Sequence, residues 1–217
     1  MKVKWLGHAC FLLTSQSGLR IITDPYTPGA FGLEYASPAE TADIVTVSHE
    51  HADHNNVAAV KGSPQVVKGA GSHDAKGIRF KGVATAHDES SGKERGSNTI
   101  FCFTLDGIDV CHLGDLGHDL PDKAAAEIGA VDVLLVPVGG NFTIDATVAG
   151  NVCQKLAPKV VIPMHFKNER CPNFPVAGVE DFTRRRQQVK KVASSEIEIR
   201  KEQLPAGTET IILKPAL

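Results

Sequence analysis

The sequence predicts an α/β fold in which two β-sheets are covered on the outside by helices, a four-layer αββα sandwich. Three observations carry this. Short apolar runs rich in Val and Ile recur along the whole chain at strand length. Helix-compatible segments fall between the later runs, so strands come first and then strands mixed with helices. Histidine or aspartate stands directly behind several runs, where α/β architectures collect functional groups.

The runs occupy residues 2–6, 9–14, 19–23, 43–48, 65–68, 79–84, 99–105, 108–113, 132–137, 159–163 and 208–214, most of them four to eight residues long. Asp106-Gly107 is a two-residue type I′ hairpin signal, and folding the chain about it sets Cys102 opposite Cys111 in a non-hydrogen-bonded pair. Residues 121–129 begin at Pro121, a favoured first helical position, and run through three alanines to Gly129. Residues 145–156 put Ala146, Ala149, Val152, Cys153 and Leu156 on one helical face. Residues 178–193 place Val179, Phe182, Val189 and Val192 near one stripe. Arg184, Arg185, Arg186, Lys190 and Lys191 surround it, which predicts a third helix with a solvated basic face.

A chain of 217 residues, 42% hydrophobic, is long enough for one well-cored domain over 1–217, and a second is not needed. A net charge of −2 gives no electrostatic reason to expect a nucleic-acid binder, and 6% aromatics leave no obvious stacking platform for single strands. Residues Trp5–Leu13 contain Gly7 and His8 and lack a small-residue cleavage site, so they make a poor signal peptide. No window approaches the ~18–20 apolar residues of a membrane helix. Five cysteines without a C-x-x-C pair fit a reducing compartment, in which Cys102 and Cys111 read as two buried thiols. The expectation is a soluble cytoplasmic protein; self-association is an open expectation.

The densest chemical signal is His49-Glu50-His51-Ala52-Asp53-His54, directly behind the run Asp43–Ser48. Imidazole and carboxylate together suit zinc, manganese or ferrous iron, and the absence of thiolate argues against a closed structural zinc site. So many ligand-type groups at a strand end would be costly to desolvate without a partner, and a metal is such a partner. Asp24, His87, Asp115 and His165 each stand behind a strand-like run as well. Singly, each could cap a turn or face solvent; together with the cluster, they point to one shared site.

The ordered set Asp24, His49-x-His51-x-Asp53-His54, His87, Asp115 and His165 resembles the metallo-β-lactamase superfamily, with all five motifs matched between residues 24 and 165. Trp5-Leu6-Gly7-His8-Ala9-Cys10-Phe11 and His112-Leu113-Gly114-Asp115 look like its metal-dependent hydrolase branch, which includes L-ascorbate-6-phosphate lactonase-like proteins. The resemblance implies the αββα sandwich with a dinuclear site in the cleft between the sheet edges. It implies His49, His51 and His87 on a first metal, Asp53, His54 and His165 on a second, and Asp115 bridging them. Asp24 would orient an imidazole from behind. Flavodiiron-type members typically carry Glu where His51 stands, which disfavours a di-iron redox enzyme. Residues His8 and His118 are candidates for substrate binding or proton shuttling, whereas His73 and His112 read as structural or solvent-facing.

The function so implied is hydrolysis of an ester-like bond of a small molecule, in a lactone, thioester or phosphodiester. It uses a hydroxide held by two divalent cations, zinc first and manganese or iron as alternatives, with Asp53 and Asp115 as catalytic groups. Two alternatives stay open: a nuclease or phosphodiesterase acting on nucleic acid, and a non-catalytic metal-dependent binding or sensor protein.

Overall fold

The computed structural model describes residues 1–216. In chain order the elements are β1 (Lys2–Gly7), β2 (Cys10–Thr14), β3 (Arg20–Thr23), β4 (Ile44–Val47), β5 (Gln65–Lys68), β6 (Gly71–Ala75), β7 (Ile78–Ala86), β8 (Ser97–Leu105) and β9 (Ile108–His112). There follow α1 (Asp122–Ile128), β10 (Val133–Pro137), α2 (Ala146–Leu156), β11 (Val160–Met164), α3 (Glu180–Thr183), β12 (Val189–Lys191), β13 (Glu196–Glu198) and β14 (Glu209–Ile212). They form a six-stranded sheet, β13-β1-β2-β3-β4-β5, and an eight-stranded sheet, β12-β14-β11-β10-β9-β8-β7-β6. This is the α/β sandwich that the apolar runs predict. No helix of the described residues is long and apolar enough to cross a membrane.

Period-two alternation sorts the first sheet's side chains between two cores. Val3, Trp5, Phe11, Leu13, Ile21 and Ile44 join the main core with the second sheet. Their neighbours Leu6, Cys10, Leu12, Ile22, Val45 and Val47 enter a smaller core on the other face. That face is covered by irregular chain carrying Tyr26, Leu33, Tyr35 and Phe174. On the second sheet, α1 packs against β7 and α2 against β10. Asp145 caps α2, accepting hydrogen bonds from the amides of Thr147 and Val148 at 2.8 Å.

The hairpin after β8 is as predicted: Asp106 and Gly107 have φ of 52° and 74°, and Cys102 pairs with Cys111. Their sulfurs stand 3.6 Å apart, and all five thiols are free. The helix expected over 178–193 is not formed. Only Glu180–Thr183 is helical, and Val189–Lys191 is instead a strand parallel to β14, with Val189 opposite Thr210. Phe182 is buried as the stripe predicts, but β14 has an open edge beyond β11, and the β-branched Val189 and its neighbours supply the ladder there.

The site follows from the strand directions. β3 and β4 are parallel neighbours in one sheet, and β9, β10 and β11 in the other. Their C-terminal ends therefore lie on a common rim, where parallel strands deliver functional residues. Asp24, Ser48–His54, Leu113–Asp115 and His165 all emerge there, joined by His87 from the end of β7. The Thr99 amide donates to the Ser48 carbonyl at 2.9 Å and ties the two sheets together beside the site.

Candidate metal centre

One carboxylate oxygen lies at the middle of the cluster. Asp115 Oδ2 is 3.1 Å from His87 Nε2, 3.2 Å from His54 Nε2, 3.3 Å from His165 Nε2 and 4.0 Å from His49 Nε2. His49 Nε2 and His51 Nδ1 converge to 3.0 Å, and Asp53 Oδ2 lies 3.5 Å from His54 Nε2. The predicted ligand residues thus gather into one cluster, buried except for the half-buried His51. His49, His51 and His87 each present a ligand atom within 4.8 Å of the others, and so do His8, Asp53, His54 and His165.

Asp24 sits behind this cluster, fully buried, with a strained φ of 39°. Its Oδ1 accepts the Ser48 amide at 2.8 Å, and its Oδ2 accepts both the Ser48 hydroxyl at 2.5 Å and His54 Nδ1–H at 2.9 Å. Burial raises its carboxyl, but nearby imidazoles, His112 foremost, outweigh burial and hold it below the usual range, so it is an acceptor only. The Ser48 proton is then committed to Asp24, and His49 Nδ1–H must donate to Ser48 Oγ, 2.9 Å away. Both His49 and His54 consequently turn an Nε2 lone pair inward.

A lone pair facing a carboxylate 3.2 Å away needs a cation between them or a proton on the imidazole. His54 Nε2, Asp53 Oδ1 and Asp115 Oδ1 are buried with no hydrogen-bond partner among the described residues. Unpartnered donors of this hard and borderline kind fit divalent cations. Without a metal, protons take that role. Burial lowers the His54 pKa, yet Asp115 and Asp53 hold it well above the usual range; Asp115 and Asp53 lie well below theirs, the imidazole charges outweighing burial.

Metal-free protein is therefore expected to be most stable near neutral pH. Burial, with neighbouring imidazoles, lowers His8 to about 4 and His49 to about 3 from 6.5. Below 6.5 the unfolded chain binds protons that these folded imidazoles refuse, so stability falls as pH falls towards 4. His54 and His87 act oppositely: their raised pKa values contribute stability below the unfolded value of about 6.5, lost as pH rises through the folded values. Melting temperature of chelator-treated protein should pass through a maximum between about pH 5 and 8. A monotonic curve across that window would contradict the assignment.

Three site residues were not legible as such in the sequence. Ser48 relays Asp24 to His49, as above. Asn98 accepts the Asp115 amide at 2.9 Å and donates to the Leu113 carbonyl at 2.9 Å. Asp88, behind His87, accepts four backbone amides and closes the loop that follows. For Ser48 and Asp88 the one sequence signal is a place next to His49 or His87; Asn98 has none, because it meets Asp115 only across the paired strands. His8 lies at φ 51°, its Nε2 3.1 Å from Asp53 Oδ2, so it meets the cluster through that carboxylate. His118 is not brought into the cluster: its Nε2 accepts the Ala86 amide at 3.2 Å, and its Nδ1 donates to the Asp119 carbonyl at 2.7 Å. His112 is structural, Nδ1 accepting the Gly114 amide and Nε2 donating to the Ala9 carbonyl.

The cluster opens into a cavity of about 220 Å³ walled by Phe31, Phe142 and Phe174, with Arg95 at its edge. A groove of about 450 Å³, lined by Glu50, Lys68 and Arg95 among others, adjoins it.

Comparison with known proteins agrees with this geometry. Residues 2–165 match the family described as β-lactamase superfamily domain. A UPF0173 metal-dependent hydrolase of Carboxydothermus hydrogenoformans is 32% identical over 192 residues, 76% of this chain and 84% of the relative. One from Methanoculleus marisnigri is 32% identical over 209 residues, 85% of this chain and 88% of the relative. The crystal structure of a Thermotoga maritima protein, described as a Zn-dependent hydrolase of the metallo-β-lactamase superfamily, superposes with a TM-score of 0.81 at 38% identity. That match covers 98% of this chain and 97% of the other. With the strand-end cluster of histidines and aspartates in place, this chain belongs to the metallo-β-lactamase superfamily, among its metal-dependent hydrolases.

Proposed function

We propose that the protein hydrolyses an ester-like bond of a small molecule, in a lactone, thioester or phosphodiester, at two divalent cations, most simply zinc. The observation that carries this reading is the central position of Asp115 Oδ2 among four imidazole nitrogens. In this reading His49, His51 and His87 would hold one cation and Asp53, His54 and His165 the other, with Asp115 available to both. When bound, such cations would supply a water of pKa near ~7 and a Lewis acid for the electrophile.

The chain's own groups do the rest. Asp24 directs the imidazole lone pairs of His49 and His54. His8 holds Asp53 Oδ2, while Asp53 Oδ1, unpartnered, is free to ligate or to take up the proton that hydrolysis releases. The aromatic walls exclude water from the reacting bond. A cavity of about 220 Å³ between phenyl rings suits a small molecule and not a nucleic-acid strand.

The test is elemental analysis of the purified protein, followed by a screen of lactones, thioesters and phosphodiesters. Roughly two equivalents of zinc or manganese with turnover of one class supports the proposal. Two equivalents of iron would move redox chemistry ahead of hydrolysis, and no metal after reconstitution would leave a binding protein on a hydrolase fold.

A further inference from the structure

We infer that the substrate carries an oxyanion, bound by Arg95, beside an apolar portion held between Phe142, Phe174 and Phe31; this rests on the hydrolase reading of the same cavity. Arg95 is one of few residues that line both the aromatic cavity and the adjoining groove. Its guanidinium carbon stands 5.8 Å from the centroid of the Phe142 ring, over the face of the ring. Phe142 in turn stacks on Phe174, centroids 5.4 Å apart, and Phe174 lies 5.4 Å from the His165 ring. Arg95 thus stands one ring away from the wall that meets the metal ligands.

The guanidinium is available. Its side chain is 35% exposed, and Glu94 approaches it only to 3.9 Å, beyond hydrogen-bond reach. Among the described residues it donates no side-chain hydrogen bond, whereas Lys68 in the adjoining groove is already engaged with Glu50 at 2.9 Å. Five donors in a rigid fork, in loose ion-pair range of Glu94 but without a hydrogen-bond acceptor among the described residues, suit a carboxylate or phosphate.

The backbone that presents Arg95 is fixed in advance. The buried Asp88 carboxylate accepts the amides of Ser90 and Gly92, each at 2.8 Å, of Glu94 at 3.0 Å and of Arg95 itself at 2.7 Å. The His87 amide donates to the Gly96 carbonyl at 3.0 Å, closing the loop at its root. Gly92 has φ of +82°, and a Cβ there would stand 2.9 Å from the Gly96 carbonyl oxygen, so the chain passes close to itself. Arg95 therefore sits on a pre-ordered loop rooted in the metal ligand His87, which lowers the entropic cost of binding. Opposite, Phe31 is 64% exposed with φ of 51°, an apolar ring held at the mouth where a ligand would cover it.

Titration calorimetry with 3-phenylpropane-1-sulfonate, whose anion is a poor metal ligand, and with the neutral 3-phenylpropan-1-ol tests this on metal-loaded protein. The sulfonate should bind about tenfold to a hundredfold more tightly, and Arg95→Gln should abolish the difference while leaving metal content unchanged. A preference unaltered in Arg95→Gln, or equal binding of the two compounds by the wild type, overturns the inference. Phenyl butyrate, monophenyl succinate and phenyl 3-phosphonopropanoate then serve as esters. Faster turnover of the succinate or of the phosphonate, lost in Arg95→Gln, identifies carboxylate or phosphate as the natural group. Discrimination in binding with no ester turned over would sustain the role of Arg95 and count against hydrolysis alone.

Discussion

Replacing Asp115 with alanine is expected to abolish turnover, by on the order of 10³-fold or more, and to lower metal content below two equivalents. The reason is geometric: its Oδ2 lies within 4.0 Å of the Nε2 atoms of His49, His54, His87 and His165 together. Asp115→Asn makes the argument sharper, since it keeps the shape and the Asn98 hydrogen bond to the backbone but removes the charge. Both variants should fail alike, as read by elemental analysis and by ester hydrolysis with circular dichroism as the folding control. Full activity in either would refute the bridging position.

Gly117→Ala is expected to cost about 3 kcal/mol, the upper part of the range for overpacking, and to lower the melting temperature by roughly 6–12 °C. A Cβ at this position would lie 2.1 Å from the carbonyl carbon of His87 and 2.3 Å from the amide nitrogen of Asp88. Both are backbone atoms, so no side chain can swing away, and the Gly117 amide is itself bonded to the Ala86 carbonyl at 3.0 Å. The displaced segment carries His87, a proposed metal ligand, and the root of the Arg95 loop. Metal affinity should therefore fall together with stability. Wild-type melting and metal content in Gly117→Ala would show that the chain accommodates the methyl group.

The parts of the molecule that were legible in the sequence are those where one local signal decides. Apolar runs announce β8 to β11 because most of their side chains are buried, and Asp106-Gly107 announces its hairpin because both residues take positive φ. The cluster from His49 to His54 was legible because its ligand types are too dense for a core. The strand β6, Gly-Ser-His-Asp-Ala, was not, because an exposed edge strand needs no apolar alternation. For β12, a few valines at helix-like spacing were overruled by the open edge of β14, a tertiary fact absent from the local pattern. Arg95, Phe142 and Phe174 come from three separate loops, and only the closed fold shows that they face one another. Ser48 and Asn98 act through side-chain hydrogen bonds to residues distant in the sequence or to the backbone, which leave no periodic trace.

The Asp24 carboxylate has a consequence for how such a site can change over time. It supports an imidazole in each of the two proposed ligand groups, His54 by a direct bond and His49 through Ser48. The two halves of the proposed centre therefore share one foundation, and neither can be retuned from this side without disturbing the other. Adaptation to a new substrate is left to the aromatic wall and to the Asp88 loop, which can drift while the metal-holding apparatus stays as it is.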